Sequence, residues 1–100
     1  MVILRFKIHA KPGKSDELRA VLAEIITPAR GTDGVINFDI AHDLHDPDSF
    51  IATAVYEDGA ALERQESRPE VHRAMAIFPE ALAGPPERTI FDASIDPVLV

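Results

Sequence analysis

Apolar and polar side chains alternate from the second residue onward. Val2, Leu4, Phe6 and Ile8 fall on one parity and Ile3, Arg5, Lys7 and His9 on the other. A period of two with one wholly apolar face predicts a strand over residues 2–10. Lys11-Pro12-Gly13 stops it, since proline and glycine both interrupt a ladder. The period then lengthens: Leu18, Val21, Leu22 and Ile25 recur at spacings of three and four, which predicts a helix with one apolar stripe. Ser15 and Asp16 supply its start, Asp16 and Glu17 suit the positive end of its dipole, and Pro28 and Gly31 are expected to end it.

Gly34 opens a second predicted strand over residues 35–42, with Ile36, Phe38 and Ile40 on one side and Asn37 and Asp39 on the other. Residues 43–49, centred on Asp46-Pro47-Asp48, read as a polar turn, and residues 50–56 as a third strand paired in a hairpin. That strand is apolar on both faces, so both must be covered. Asp58-Gly59 begins a short helix, and Pro69 begins a longer one at the first-turn position that proline tolerates. In the longer helix Val71, Met75, Phe78 and Leu82 step by four, three and four, with Pro79 expected to kink or interrupt it. After Gly84-Pro85-Pro86 a last strand is predicted over residues 88–95, with Thr89, Phe91, Ala93 and Ile95 in phase, followed by an apolar tail over 96–100.

The order β-α-β-β-α-β predicts one α+β domain over residues 1–100 of the ferredoxin-like kind, with a core over 1–95. Helices would cover one sheet face and leave the other bare. A bare apolar face on a small domain is expected to meet a second copy, giving a homodimer to which the tail would cross.

Charge and composition narrow the chemistry. The net charge of −7 argues against a nucleic-acid partner, which needs a positive field. The absence of cysteine excludes disulfides, thiolate nucleophiles and zinc–sulfur sites. The opening apolar run is too short and too charged for a signal peptide, and no later stretch reaches membrane-spanning length, so a cytoplasmic protein without a membrane partner is expected.

Residues 42–48 (His-Asp-Leu-His-Asp-Pro-Asp) hold many potential ligands, but the spacing fits neither a calcium loop nor a zinc helix, and no metal is expected there. His42 shares the parity of Ile36, Phe38 and Ile40 and could reach a pocket edge, while His72 lies on the long helix beside Val71. Either could act as a base, because imidazole changes charge near neutral pH; a partly exposed histidine is the plainer reading of each. His9 and His45 read as surface residues. Tyr56 shares a strand face with Phe50, Ala52 and Ala54, whose small alanines leave room for a flat ligand with the phenol as a polar handle. Phe38, Met75 and Phe78 could line the same space, although ordinary core packing accounts for these residues equally well. Arg5 and Lys7 could hold an anion or pair with Asp39. Arg64 and Gln65 sit on the short helix beside the expected entrance.

Several of these segments resemble one family. Lys11-Pro12-Gly13, the stretch from Gly34 to Asp46-Pro47, Tyr56-Glu57-Asp58, Ala61-Leu62, and then Ser67, Pro69 and Val71 follow the order and spacing of the antibiotic biosynthesis monooxygenase domain over most of residues 1–95. The resemblance implies a dimeric α+β barrel and oxidation of quinols or polyketide aromatics by dioxygen without metal, flavin or haem. An electron-rich anion can itself reduce oxygen, so the protein need supply an apolar pocket, a base and fixed dipoles. For such a reaction the residues above supply Tyr56, His72 and His42 as catalytic candidates and Phe38, Ala54, Gln65, Met75 and Phe78 as substrate-binding ones. Three positions depart from the family pattern: Ala54 stands where a glutamate is usual, Tyr56 where a tryptophan is, and Gln65 where a histidine is. Met75 takes the place of the proximal histidine of the haem-degrading branch, and the chain has no tryptophan, so haem degradation is not expected. A non-catalytic dimeric binding module and a small-molecule isomerase, which would need an anion site such as a cluster of Arg5, Lys7 and Arg73, remain the alternatives.

Overall fold

The computed structural model describes residues 1–94. Its elements are β1 (Val2–His9), α1 (Ser15–Arg30), β2 (Val35–Asp43), β3 (Asp46–Tyr56), α2 (Gly59–Glu66), α3 (Pro69–Ala81) and β4 (Glu87–Asp92). The four strands form one antiparallel sheet in the order β2-β3-β1-β4, which is the ferredoxin-like α+β arrangement, with α2 and α3 together filling the second crossover. Ile95 and the expected tail lie outside the described residues.

The register explains which face is dry. Leu4 sits opposite Ala54, Phe6 opposite Ala52 and Ile8 opposite Phe50, while Phe38 and Ile40 of β2 face Ala54 and Ala52. Directly opposed residues share a face, so these side chains form one apolar floor. Leu18, Leu22, Ile25 and Ala29 of α1, at spacings of three and four, pack down as its buried stripe. Helix α1 also packs on α3 and β2, and α2 touches α3, β2 and β3.

Local chemistry sets the helix ends. The Asp58 carboxylate accepts a hydrogen bond from the Ala61 N–H at 2.9 Å and caps α2. Pro69 opens α3, where a missing N–H costs nothing. The later prolines do not interrupt their helices. Pro28 lies inside α1, which ends at Arg30, and Pro79 lies inside α3, which continues to Ala81. Each stands in the final turn, where its lost N–H and the displaced carbonyl involve only the fraying end of the ladder.

Three other expectations need correction. Strand β3 begins at Asp46, so the polar segment expected as a turn is mostly strand and the reversal is confined to Leu44-His45. A bulge between Val35 and Asn37 rotates Ile36 off the apolar face: Val35 opposes Tyr56, and Ile36 is 49% exposed. The uncovered sheet face is mixed rather than apolar. Ile3, Val55 and Phe91 form one row, but the next is Arg5, Thr53, Thr89 and Asp39, followed by Lys7, Ile51, Ala41 and Glu87. Among the described residues no helix is long and apolar enough to cross a membrane.

Candidate functional site

Between the sheet floor and the helices lies a cavity of about 340 Å³. Leu4, Phe6, Phe38, Ile40, Ala52 and Tyr56 make its floor, and Leu22 and Ile25 of α1 close one side. Val71, His72, Ala74, Met75 and Phe78 of α3 form the opposite wall, with the Phe78 ring stacked 6.1 Å from that of Phe6. Gln65 and Glu66 of α2 and Arg88 of β4 complete it. The space exists because the sequence places small residues around it: Ala52 in the floor and Ala74 in the α3 wall leave volume that larger side chains would fill.

One end of this apolar chamber is polar. The Tyr56 hydroxyl and both amide atoms of Gln65 are buried and have no hydrogen-bond partner. Buried polar groups are normally paired, so three unpartnered atoms on two cavity-lining residues depart from usual packing, although none of the three is itself open to the cavity. Burial pushes the Tyr56 phenol up to about 12, with the negative Glu66 adding to the effect and Arg88 opposing it. At neutral pH Tyr56 is therefore a hydrogen-bond donor and not a base. Glu66 and Arg88 form an ion pair with each other at this end of the cavity.

The depth of Gln65 is set by a close backbone approach. Gly34 has φ +83°, and a Cβ there would lie 2.6 Å from that of Ala61. Only glycine lets α2 approach the start of β2 so closely. Gln65 lies one turn beyond Ala61 on the same helix face and is carried down to the floor with it.

Of the residues singled out from the sequence, Tyr56, His72, Phe38, Gln65, Met75 and Phe78 line this one cavity. His72 and Met75 stand at its rim: both are exposed, Met75 by 54%, so the apolar stepping of α3 marks a cavity edge there and not a core contact. Ala54 lies on the same sheet face, fully buried between Leu4 and Phe38, and does not line the cavity. His42 lies elsewhere. Its ring packs 4.5 Å from that of Phe50, one ring nitrogen meets Arg19 at 3.0 Å and the other meets the Pro47 carbonyl at 3.0 Å. It is committed at the hairpin end of the sheet because the strand parity that joins it to Ile40 carries it past the cavity.

The acidic hairpin holds itself together. The Asp46 carboxylate accepts from Ser49 Oγ at 2.7 Å and pairs with His9 at 2.9 Å, and the Ser49 bond above all, with the Asp48 N–H and His9, keeps that carboxyl below its usual range despite partial desolvation. The cations considered for an anion site are dispersed. Arg5 and Lys7 lie on the uncovered face, where Lys7 pairs with Asp43 at 3.6 Å, and Arg73 meets Glu24 of α1 at 3.6 Å. Asp39 pairs with Arg30, not with Arg5. A broader trough of about 700 Å³ beside α2 is open to solvent, and its Arg64 is engaged with the Asp33 carbonyl at 3.2 Å.

Glu66 and Arg88 were missed by sequence reasoning. Glu66 directly follows Gln65 at the end of a short helix, and Arg88 stands on a strand whose apolar parity is weak, so neither carries a local signal.

The sequence pattern of the family described as antibiotic biosynthesis monooxygenase matches residues 1–77. The chain belongs to the antibiotic biosynthesis monooxygenase family. Among solved structures it is similar to Rv0793 from Mycobacterium tuberculosis, at a TM-score of 0.87 and 23% identity over 96% of this chain and 97% of that one. It is also similar to PA3566 from Pseudomonas aeruginosa, at a TM-score of 0.80 and 26% identity over 92% and 94%. The first of these likenesses carries the fold alone. A curated relative, the uncharacterized protein sll1783 of Synechocystis, is 29% identical over 90 residues; the match takes in 90% of this chain and 61% of the relative's length.

Proposed function

We propose that this chain is a cofactor-independent monooxygenase acting on a small electron-rich aromatic, such as a quinol or a polyketide-like phenol. The observation that carries the reading is the apolar cavity lined by Phe38, Tyr56, Gln65 and Phe78, with the His72 imidazole at its rim. Its volume of about 340 Å³ falls at the small end of the range for ligand pockets, roughly 300–1,000 Å³.

In the reaction His72 removes a proton from the bound substrate, and Tyr56, held protonated, becomes the donor to the oxyanion that forms once its side chain turns toward the ligand. The carbanion form of that anion passes one electron to dioxygen. The resulting superoxide and substrate radical join at carbon as a peroxide, which takes up the proton. Loss of water leaves a carbonyl, so that a CH₂ group and O₂ become C=O and H₂O. Phe38, Met75 and Phe78 supply the apolar walls that keep bulk water from the anion.

The protomer works as a homodimer in the cytoplasm in this reading. The apolar row of Ile3, Val55 and Phe91 on the uncovered face, with Phe91 50% exposed, supports a second copy against the sheet. A second reading, a dimeric ligand-binding module without turnover, is favoured by Ala54 and Gln65, which put no titratable group where the family usually has one.

Oxygen consumption by metal-free protein with a panel of hydroquinones and anthrones tests the first reading. Uptake that falls at least tenfold in Tyr56→Phe and in His72→Ala is expected. Absence of uptake, with both variants binding the panel as the wild type does, would leave only the binding module.

A further inference from the structure

Arg88 stands where packing alone would place an apolar side chain. In the register of the sheet it opposes Phe6, which opposes Ala52, which in turn opposes Ile40. Opposed residues share a face, so these four make one transverse row of the cavity floor, apolar except at its β4 end. An aliphatic residue at this position would continue the floor. The ion pair with Glu66 does not account for the arginine, because a pair whose side chains are 44% and 38% exposed contributes little to stability.

The pairing leaves the arginine equipped for a ligand. Glu66 engages Nη2, and among the described residues Nε and Nη1 have no partner. The side chain lines the cavity and is partly open, so, unlike the sealed Tyr56 hydroxyl, it can meet a bound molecule as it stands. The other titratable residues lining the cavity are Glu66 of α2, Tyr56 of β3 and His72 of α3, while β1, β2 and α1 contribute only apolar side chains. Arg88 is therefore the one permanent cation around this cavity among the described residues. The charges of Arg88 and Glu66 act in opposite senses on the Tyr56 phenol, so their fields reach the cavity. An aromatic oxyanion formed against apolar walls is costly without such a counter-charge.

We propose that Arg88 receives the substrate oxyanion through its free Nε and Nη1 donors, and that Glu66 is the positioning residue that holds the guanidinium beside the floor. The cavity then selects aromatics with an acidic O–H, phenols or enols held as their anions, over neutral ones of the same shape. The inference rests on the cavity being the substrate site, as proposed above, and adds a catalytic residue and the charge state of the ligand.

The probe is 4-nitrophenol, whose visible absorbance reports its ionisation, titrated with pH while bound to the full chain. No turnover is needed, so the result is independent of the oxidation step. The wild type is expected to bind the anion more tightly than the acid, which lowers the pKa of the bound phenol below its value in free solution. Arg88→Met should raise the bound value by about one unit, a tenfold change in preference for the anion. Glu66→Gln keeps an acceptor for Nη2 and removes the opposing charge, so it should lower the bound value further. The double variant, neutral at both positions, should lie above the wild type. An unchanged value in Arg88→Met or in the double variant would mean that the pair is a structural link only, and would overturn the inference. A wild-type value at or above that in free solution overturns it too, whether or not any variant folds, and leaves the aromatic cavity standing. Failure of 4-nitrophenol to bind in either form overturns the cavity itself as the aromatic site.

Discussion

Tyr56 is the sole tyrosine in a chain without tryptophan, so its ionisation can be read in isolation. Raising the pH is the perturbation. Burial moves its phenol from 10.0 in the unfolded chain to about 12 in the folded one. Below pH 10 both states hold the proton and stability does not change on this account. Between 10 and about 12 the unfolded chain releases the proton while the folded one keeps it, so stability falls through that window and levels off above it. Each unit corresponds to about 1.4 kcal/mol, so the loss across the window is about 3 kcal/mol, a large part of the stability of a small domain. The assay is a spectrophotometric titration of tyrosinate absorbance, with circular dichroism recorded on the same samples. Absorbance should lag well above the ordinary phenol value and rise either near 12 or together with loss of structure. Glu66→Gln should move the midpoint down and Arg88→Met should move it up, because the two charges act on the phenol in opposite directions. A rise centred near 10 with the dichroism unchanged would refute the claim that the hydroxyl is buried and dry.

Gly34→Ala should be costly, since φ +83° and a Cβ 2.6 Å from that of Ala61 combine backbone strain of roughly 1–2 kcal/mol with a steric overlap that must push α2 outward; an unchanged urea midpoint would show that α2 does not approach so closely. Asp58→Ala removes the cap of α2 and should lower stability by about 1 kcal/mol in chemical denaturation, with Asp58→Asn nearly neutral. Leu18→Ala, at a position with no exposure, should cost roughly 2–5 kcal/mol, and a loss under 1 kcal/mol would mean that α1 is not seated on the sheet as described. His42→Ala should leave aromatic ligand binding unchanged in calorimetry, because that ring is held at the hairpin by Phe50, Arg19 and the Pro47 carbonyl; a tenfold loss would show that the hairpin end communicates with the cavity.

The layered frame was legible in the residues because it rests on local periodicity. Period two in Val2 to Ile8 and spacings of three and four in Leu18 to Ile25 state which side of each element must be dry, and Asp58 and Pro69 announce their helix starts without reference to the rest of the chain. Tyr56, Phe38 and Phe78 could be assigned to one space for the same reason: they lie on faces that must meet. Departures arose where a local rule met a tertiary condition. Pro79 was expected to kink or interrupt α3, which runs on to Ala81 because a proline in the last turn leaves little ladder to lose, whereas α1 ends at Arg30, between Pro28 and Gly31 as expected. Ile36 has the parity of the core and faces outward, because a bulge inserts one residue into β2.

Side-chain order along the chain settles the set of elements, their dry faces and the absence of cysteine chemistry, since each follows from residues a few positions apart or from composition. Packing in three dimensions is what leaves Gln65 buried without partners, brings Glu66 of α2 and Arg88 of β4 together near Tyr56, and commits His42 elsewhere. Those facts depend on how far α2 sinks past Gly34 and on strands that become neighbours only through pairing across the sheet. Burial and pairing of a polar atom are properties of everything packed around it, and no spacing along the chain encodes them.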